Sequence, residues 1–210
     1  MNKADTATIR IAPRSDGGYW TVADWKKLTL NNKNKDNWQT AIDIFEARIR
    51  RRYFDTIEII KSYEQSGFAI MSLHCLLIET LQQFFEGVTE TPHKEQKTYF
   101  KNFFSQTSFA KYFSDPSMGT DFYLWFRNGL LHQAEVKRGS RIWIRSGTPL
   151  VRYNHDRTGL EINRDLFHQE MENVFNTYIA ALRHNDPADH GLRERFRIKM
   201  NSICLMGEAE

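Results

Sequence analysis

The residues best suited to chemistry lie in one stretch, Phe126-Arg127-Asn128-Gly129-Leu130-Leu131-His132-Gln133-Ala134-Glu135. Histidine is the side chain whose ordinary pKa lies nearest neutral pH, so His132 is a candidate general acid or base. A planar guanidinium holds phosphoryl oxygens through paired hydrogen bonds, which suits Arg127 to charge developing on phosphorus. Asn128 can orient either neighbour. Glu79 sits in an otherwise apolar segment, where a lone carboxylate is costly, so it needs a partner: Arg127 is the candidate, another arginine or a helix-end tyrosine the alternative. A structural reading stands beside this one: an Arg and a His late in an aromatic helix also cap carbonyls or pair with acids.

Other groups are less specific. Arg48, Arg51 and Arg52, with Arg50, form a basic run that could track an RNA backbone or simply face solvent. Arg193, Arg195, Arg197 and Lys199 form a second run. His184, Asp186, Asp189 and His190 superficially resemble metal ligands, but no helical spacing aligns them, so no metal site is expected. Trp143 and Tyr153 could stack on bases, although packing explains them equally well.

The elements that must position these residues read as mainly helical. Residues 1–35 are polar and irregular, with a β-like run at Thr8-Ile9-Arg10-Ile11, a turn at Asp16-Gly17-Gly18, and a capping-box spacing at Thr21 and Asp24. They read as an N-terminal extension. From Asp36 to Gln65, Trp38, Ile42, Phe45, Ile49, Tyr53, Ile57, Ile60 and Tyr63 draw one helical stripe that Gly67 closes. Residues 68–86 are apolar nearly all round, the mark of a central bundle helix, with His74 and Glu79 as exceptions. One or two short aromatic helices follow over residues 94–113. Asp115-Pro116 is a helix start, and a helix covers about residues 120–133.

The period then changes. Arg141-Ile142-Trp143-Ile144-Arg145, Leu150-Val151-Arg152-Tyr153 and Leu160-Glu161-Ile162 alternate like strands, so a small β-hairpin or three-stranded insert is expected at about residues 140–163. Helical period returns over about residues 164–184 and 190–205. The expected architecture is one domain over residues 36–210, a bundle of about five main helices with a β insert before the C-terminal helices.

Composition narrows the classes. A chain of 210 residues, 40% hydrophobic and 26% charged, is long enough to bury about 70% of its unfolded surface. Aromatic residues at 13% exclude disorder for most of the chain. Two widely spaced cysteines, Cys75 and Cys204, exclude a disulfide scaffold and a Cys-ligated zinc site, and fit a cytoplasmic location. A net charge of +3 permits nucleic-acid binding without demanding it. No apolar run approaches the ~20 residues a membrane helix needs, so no membrane association is expected.

Arg127, Asn128 and His132 on an aromatic helix, preceded by a long amphipathic helix and a buried one, resemble the HEPN superfamily, whose motif is Arg-polar-x-x-x-His on a helical bundle. The resemblance spans about residues 36–185 and looks closest to a plasmid-associated branch. It implies a metal-independent, cofactor-free endoribonuclease of the toxin or phage-defence kind. Such an enzyme cleaves single-stranded RNA to a 2′,3′-cyclic phosphate, as a homodimer with a composite active site. RNA and a protein antitoxin are the implied partners. Other members bind nucleotide, nucleic acid or protein without cleaving, which is the alternative. Some toxins carry a modified tyrosine two residues after the histidine. Ala134 stands there, which puts that mode of control in doubt.

Helical geometry adds an expectation. Asn128 and His132, four apart, share a face. Arg127 lies about 140° round the helix from His132, although its long side chain could bend toward the site. One copy alone therefore looks poorly arranged, and two motifs meeting across a two-fold axis would cure this, with Gly129 allowing close approach of the backbones.

Overall fold

The computed structural model describes residues 6–31, 33–184 and 191–204. Helices dominate these residues, joined by two small sheets. Two units divide the chain. The first comprises residues 1–56, 84–89 and 177–210, the second residues 57–83 and 90–176.

In the first unit, strands β1 (Arg10–Pro13) and β2 (Tyr19–Thr21) pair antiparallel. Their turn uses Gly17 at φ 86°, a left-handed conformation that favours glycine. The Gly18 N–H donates to Asp16 Oδ1 at 2.9 Å. Helix α1 (Val22–Lys26) opens with the anticipated capping box: Thr21 Oγ1 accepts from the Asp24 N–H, and Asp24 accepts from the Thr21 N–H. Residues 6–31 pack into this unit through buried Ile11, Val22 and Trp25. Trp25 Nε1 donates to Asn201 Oδ1 at 2.9 Å, and its ring meets Phe196 edge-on. Their apolar residues are too sparse for a period to reveal them, and only packing against distant segments shows their role.

Helix α2 (Lys35–Ile49) buries Trp38, Ile42, Phe45 and Ile49 of the anticipated stripe, with Ala41 and Ile44 beside them. Phe45 packs on Phe84 (centroids 4.4 Å apart), Phe196 (5.4 Å) and Tyr178 (6.1 Å). Helix α9 (Leu192–Ile203) brings Phe196 and Met200 into this core, while the sequence-aligned Leu192 and Ile203 stay half-exposed. The basic run on α9 is used locally. Arg193 donates to the Leu182 carbonyl and covers Trp38, Arg197 pairs with Glu194, and Lys199 donates to the Thr89 carbonyl.

The single helix expected over residues 36–65 is three pieces. After α2 comes a π-helical turn, Arg50–Phe54, then α3 (Asp55–Lys61). Gly67 does not close it but begins α4 (Gly67–Glu86). The reason lies in the second unit: buried Arg164 donates to the carbonyls of Lys61 and Tyr63 and to Ser66 Oγ, satisfying the exposed end of α3. Gly67 is small because Ile142 lies 3.1 Å from where its Cβ would stand.

The second unit is built round phenylalanines. Helix α5 (Gln96–Gln106) supplies Phe100, Phe103 and Phe104, and helix α6 (Met118–Phe122) supplies Phe122. Phe104 stacks on Phe113 at 3.8 Å, and Phe122 stacks on Phe126 and Phe167 at 5.2 and 5.5 Å. Phe→Ala in such a cluster typically costs about 3–5 kcal/mol. Asp115 holds the Ser117 N–H ahead of α6 rather than starting the helix itself.

The β insert is a three-stranded sheet, not a simple hairpin. β3 (Arg141–Trp143) runs parallel to the central β5 (Leu160–Asn163), and β4 (Val151–Tyr153) pairs with β5 antiparallel. Alternation shows which face a strand buries but not which strand lies beside it. Asn163 ends β5 and accepts from the N–H groups of Asp165 and Leu166, so it caps helix α8 (Arg164–His184). His184 ends that helix, while Asp186, Asp189 and His190 lie outside the described residues.

Helix α4 corrects one expectation. With the preceding turn it gives a 23-residue segment, Glu64–Glu86, whose most apolar 18-residue window has a mean hydropathy of 1.3, enough to cross a membrane by length and composition alone. Half of it is buried within the chain, and core helices pass the same test.

Its buried His74 belongs to a chain of hydrogen bonds. His168 Nε2 donates to Glu58 at 2.9 Å, which leaves Nδ1 of a neutral ring to accept from His74 Nε2 at 3.3 Å. Burial pushes His74 well below 6.5, helped by His168. Burial also lowers His168, against the pull of Glu172 and Glu58. The unfolded chain thus binds more protons than the folded one below about pH 6.5, so stability falls as pH drops through that value. The slope is at most about 1.4 kcal/mol per pH unit for each histidine. Denaturant midpoints at pH 7.5 and 5.5 check this. His74→Gln keeps a donor to His168 and should flatten the slope; an unchanged slope would assign it to other groups.

Candidate functional site

All the motif residues, and Glu79, lie in the second unit. After α6 the helix passes through a second π-helical turn, Tyr123–Arg127, and continues as α7 (Asn128–Gln133). The extra residue of a π turn frees a carbonyl. Here the Trp125 carbonyl accepts instead from the Lys137 N–H at 2.9 Å, from chain returning after the helix. Ala134 ends α7 in the left-handed conformation at φ 52°, and its N–H donates to the Gly129 carbonyl. The chain then folds back over α7. A Cβ at position 129 would collide with the Glu135 carbonyl oxygen. The close approach that Gly129 permits is therefore made within the chain.

Arg127 is the hub. Its Nη2 lies 3.4 Å from Glu79 Oε2, so the carboxylate in α4 has the partner it requires. Its Nη1 donates to Asn128 Oδ1 at 3.3 Å and contacts His132 Nε2 at 3.3 Å. The guanidinium lies over the Tyr123 ring, 5.6 Å from its centroid. The bend that the long Arg127 side chain allows is made, so the poor arrangement expected of one copy alone is corrected. Their backbones do diverge, but the long arginine side chain curls over the end of α7 and closes the gap within one copy.

The Arg127–His132 contact has a chemical direction. A guanidinium donates and cannot accept, so Nε2 of His132 must present its lone pair. That bond uses the Nε2 lone pair, the one with which the His132 ring would act as a base. Its side chain is exposed in the last turn of α7, whereas the Arg127 and Glu79 side chains are only about one-fifth exposed, at 19% and 20%. Arg127 Nε is buried and meets no hydrogen-bond partner among the described residues. Cys75, one helical turn from Glu79, is fully buried, and burial pushes its thiol far up, which makes it a poor nucleophile. Among the described residues, no group of three or more His, Cys, Asp or Glu is placed to hold a metal.

The remaining candidates fall elsewhere. Arg48 does not face solvent: its Nη1 donates to the Ile11 carbonyl at 2.8 Å, and burial, then the charge of Arg52, brings its pKa down to about 10. Arg52 reaches the same carbonyl at 3.4 Å, and exposed Arg51 pairs with Asp55. Tyr153 donates to Asp121 at 2.6 Å, and Trp143 lies beside Arg145 and Arg141. Tyr123 was the residue missed at the site. Its position four before Arg127 on one helix was the available signal.

The protein is thus mainly helical, with two small sheets and a cluster of arginine, carboxylate, amide and imidazole at a helix end. Comparison with protein-family models, with curated proteins and with solved structures finds no match to this chain.

Proposed function

We propose that this chain is a HEPN-type endoribonuclease that cleaves single-stranded RNA without a metal, as a toxin or phage-defence effector working in a homodimer. The observation that carries the reading is the single guanidinium of Arg127, braced by Glu79 and bonded to both Asn128 and His132. In this reading His132 Nε2 takes the proton of an RNA 2′-OH. The 2′-oxygen then attacks the adjacent phosphorus, the bond to the 5′-oxygen breaks, and a 2′,3′-cyclic phosphate remains. The leaving oxygen takes a proton from an imidazolium, supplied by His132 of a second copy.

Arg127 has a linked role. Once His132 holds the proton, its Nε2 can no longer accept from Arg127. The guanidinium hydrogen is then released toward the phosphorane at the moment negative charge gathers there. Glu79 keeps the guanidinium plane in place through the step, as carboxylates behind catalytic groups do.

The test is cleavage of single-stranded RNA by the purified protein in excess EDTA, with analysis of the product ends. Cyclic phosphate ends are expected. RNA binding without cleavage would replace this reading with the non-catalytic module, and neither binding nor cleavage would remove RNA altogether.

A further inference from the structure

The N-terminal hairpin and the π turn after α2 line an open cavity of about 450 Å³ in the first unit. That is the size of small-ligand sites, about 300–1,000 Å³. Four arginines line it: Arg10 and Arg14 from the hairpin, Arg51 and Arg52 from the π turn. No acidic residue is among its lining residues.

The arginines are held rather than loose. Arg10 stacks on Tyr19 at 4.4 Å, and Arg14 stacks on Trp20 at 4.5 Å. Stacking orients a guanidinium so that its in-plane hydrogens stay free for an oxyanion. Arg14 also meets Asp16 at 2.9 Å and Arg51 meets Asp55 at 3.2 Å, so these two are half-neutralised at the rim. Arg52 donates only weakly, to the Ile11 carbonyl at 3.4 Å. Among the described residues, no carboxylate lies within ion-pairing distance of Arg10 or Arg52.

Closing the hairpin onto the helix does not require this much charge. Arg48 already secures the Ile11 carbonyl from behind, at 2.8 Å. Further guanidinium groups brought to the same wall repel one another, and the lowered pKa of Arg48 registers the charge of Arg52 after burial. An anion in the cavity would turn that repulsion into attraction. Several planar, always-charged donors suit the multiple oxygens of a phosphate better than a single carboxylate.

We propose that this cavity binds phosphate esters, with Arg10 and Arg52 as the principal contacts and Arg14 and Arg51 beside them. The phosphate comes from a single-stranded RNA backbone or from a free nucleotide. The proposal does not rest on the nuclease reading.

The experiment measures binding of a single-stranded oligouridylate and, separately, of ATP. All variants are made in the His132→Ala background, so that cleavage does not intervene. Arg10→Gln/Arg52→Gln should weaken one or both ligands by about tenfold or more. For the oligonucleotide, the slope of log K against log salt should fall by about 1.4, two contacts at about 0.7 each. Lys97→Gln/Lys101→Gln removes the same charge from exposed positions on α5 and should change affinity less than about twofold. Loss for the oligonucleotide alone assigns the cavity to RNA, and loss for ATP alone assigns it to a nucleotide. No loss for either ligand, or equal loss in the lysine variant, overturns the proposal. Should the double variant fail to fold by circular dichroism, Arg10→Gln alone decides, because among the described residues the Arg10 side chain makes the Tyr19 stack alone; a loss of about threefold is then expected, and none overturns the site. Weakened binding in a protein that never cleaves RNA would keep this inference and discard the nuclease.

Discussion

His132→Ala should lower RNA cleavage by about 10²–10⁴-fold, the range for losing a positioned acid–base group. If two copies of His132 act in one site as base and acid, the loss lies at the upper end. The fold should survive. His132 is exposed in the last turn of α7 and makes one long hydrogen bond, at 3.3 Å, to Arg127. Losing such a bond costs about 1 kcal/mol or less. Arg127 keeps Glu79 and Asn128, so RNA affinity should stay within a few-fold. The decisive comparison is kcat against the affinity for uncleaved RNA. Equal cleavage by variant and wild type would remove His132 from the chemistry. Lost affinity with unchanged kcat would make it a binding residue.

Arg127→Lys should reduce kcat by about 10²–10³-fold, as removal of one aligned donor to a transition-state oxyanion does elsewhere. Charge is conserved in this variant, so the loss isolates geometry. A guanidinium meets Glu79 with one nitrogen while the other serves Asn128 and His132. An ammonium is a point donor and cannot span those positions from one place. Thermal stability should fall only modestly, since Glu79 keeps a cation in reach. Arg127→Ala is a harsher change: it leaves the Glu79 carboxylate, about four-fifths buried, without its cation, at a cost of about 1–3 kcal/mol. Full activity in Arg127→Lys would show that charge alone suffices. A large melting shift in that variant would mean that Arg127 serves the fold first.

Some of this was legible in the residues. The Thr21–Asp24 capping box is a local pattern spanning four residues, and it forms as read. The apolar run of α4 and the stripe of α2 set which faces are buried, because hydrophobic period acts over one or two turns. The need of Glu79 for a cation followed from the cost of an unpaired carboxylate in an apolar helix. Its partner lies 48 residues along the chain, and packing brought the two within 3.4 Å.

Most of what only tertiary structure decided depends on groups far apart in sequence. The π turns at Arg50–Phe54 and Tyr123–Arg127 break an α-helical phase that the residues themselves do not interrupt. The second of them is supported by the N–H of Lys137 on the Trp125 carbonyl. Arg127 reaches His132 because its side chain bends, which a count of degrees per residue omits. β3 lies beside β5 rather than β4, since alternation carries no information about neighbours. The arginine cavity needs the hairpin laid on the π turn, so Arg10 and Arg14 could not be joined to Arg51 and Arg52 by spacing. Residue types and local period determined the elements and the chemistry available; the three-dimensional packing of distant segments decided which of those residues meet.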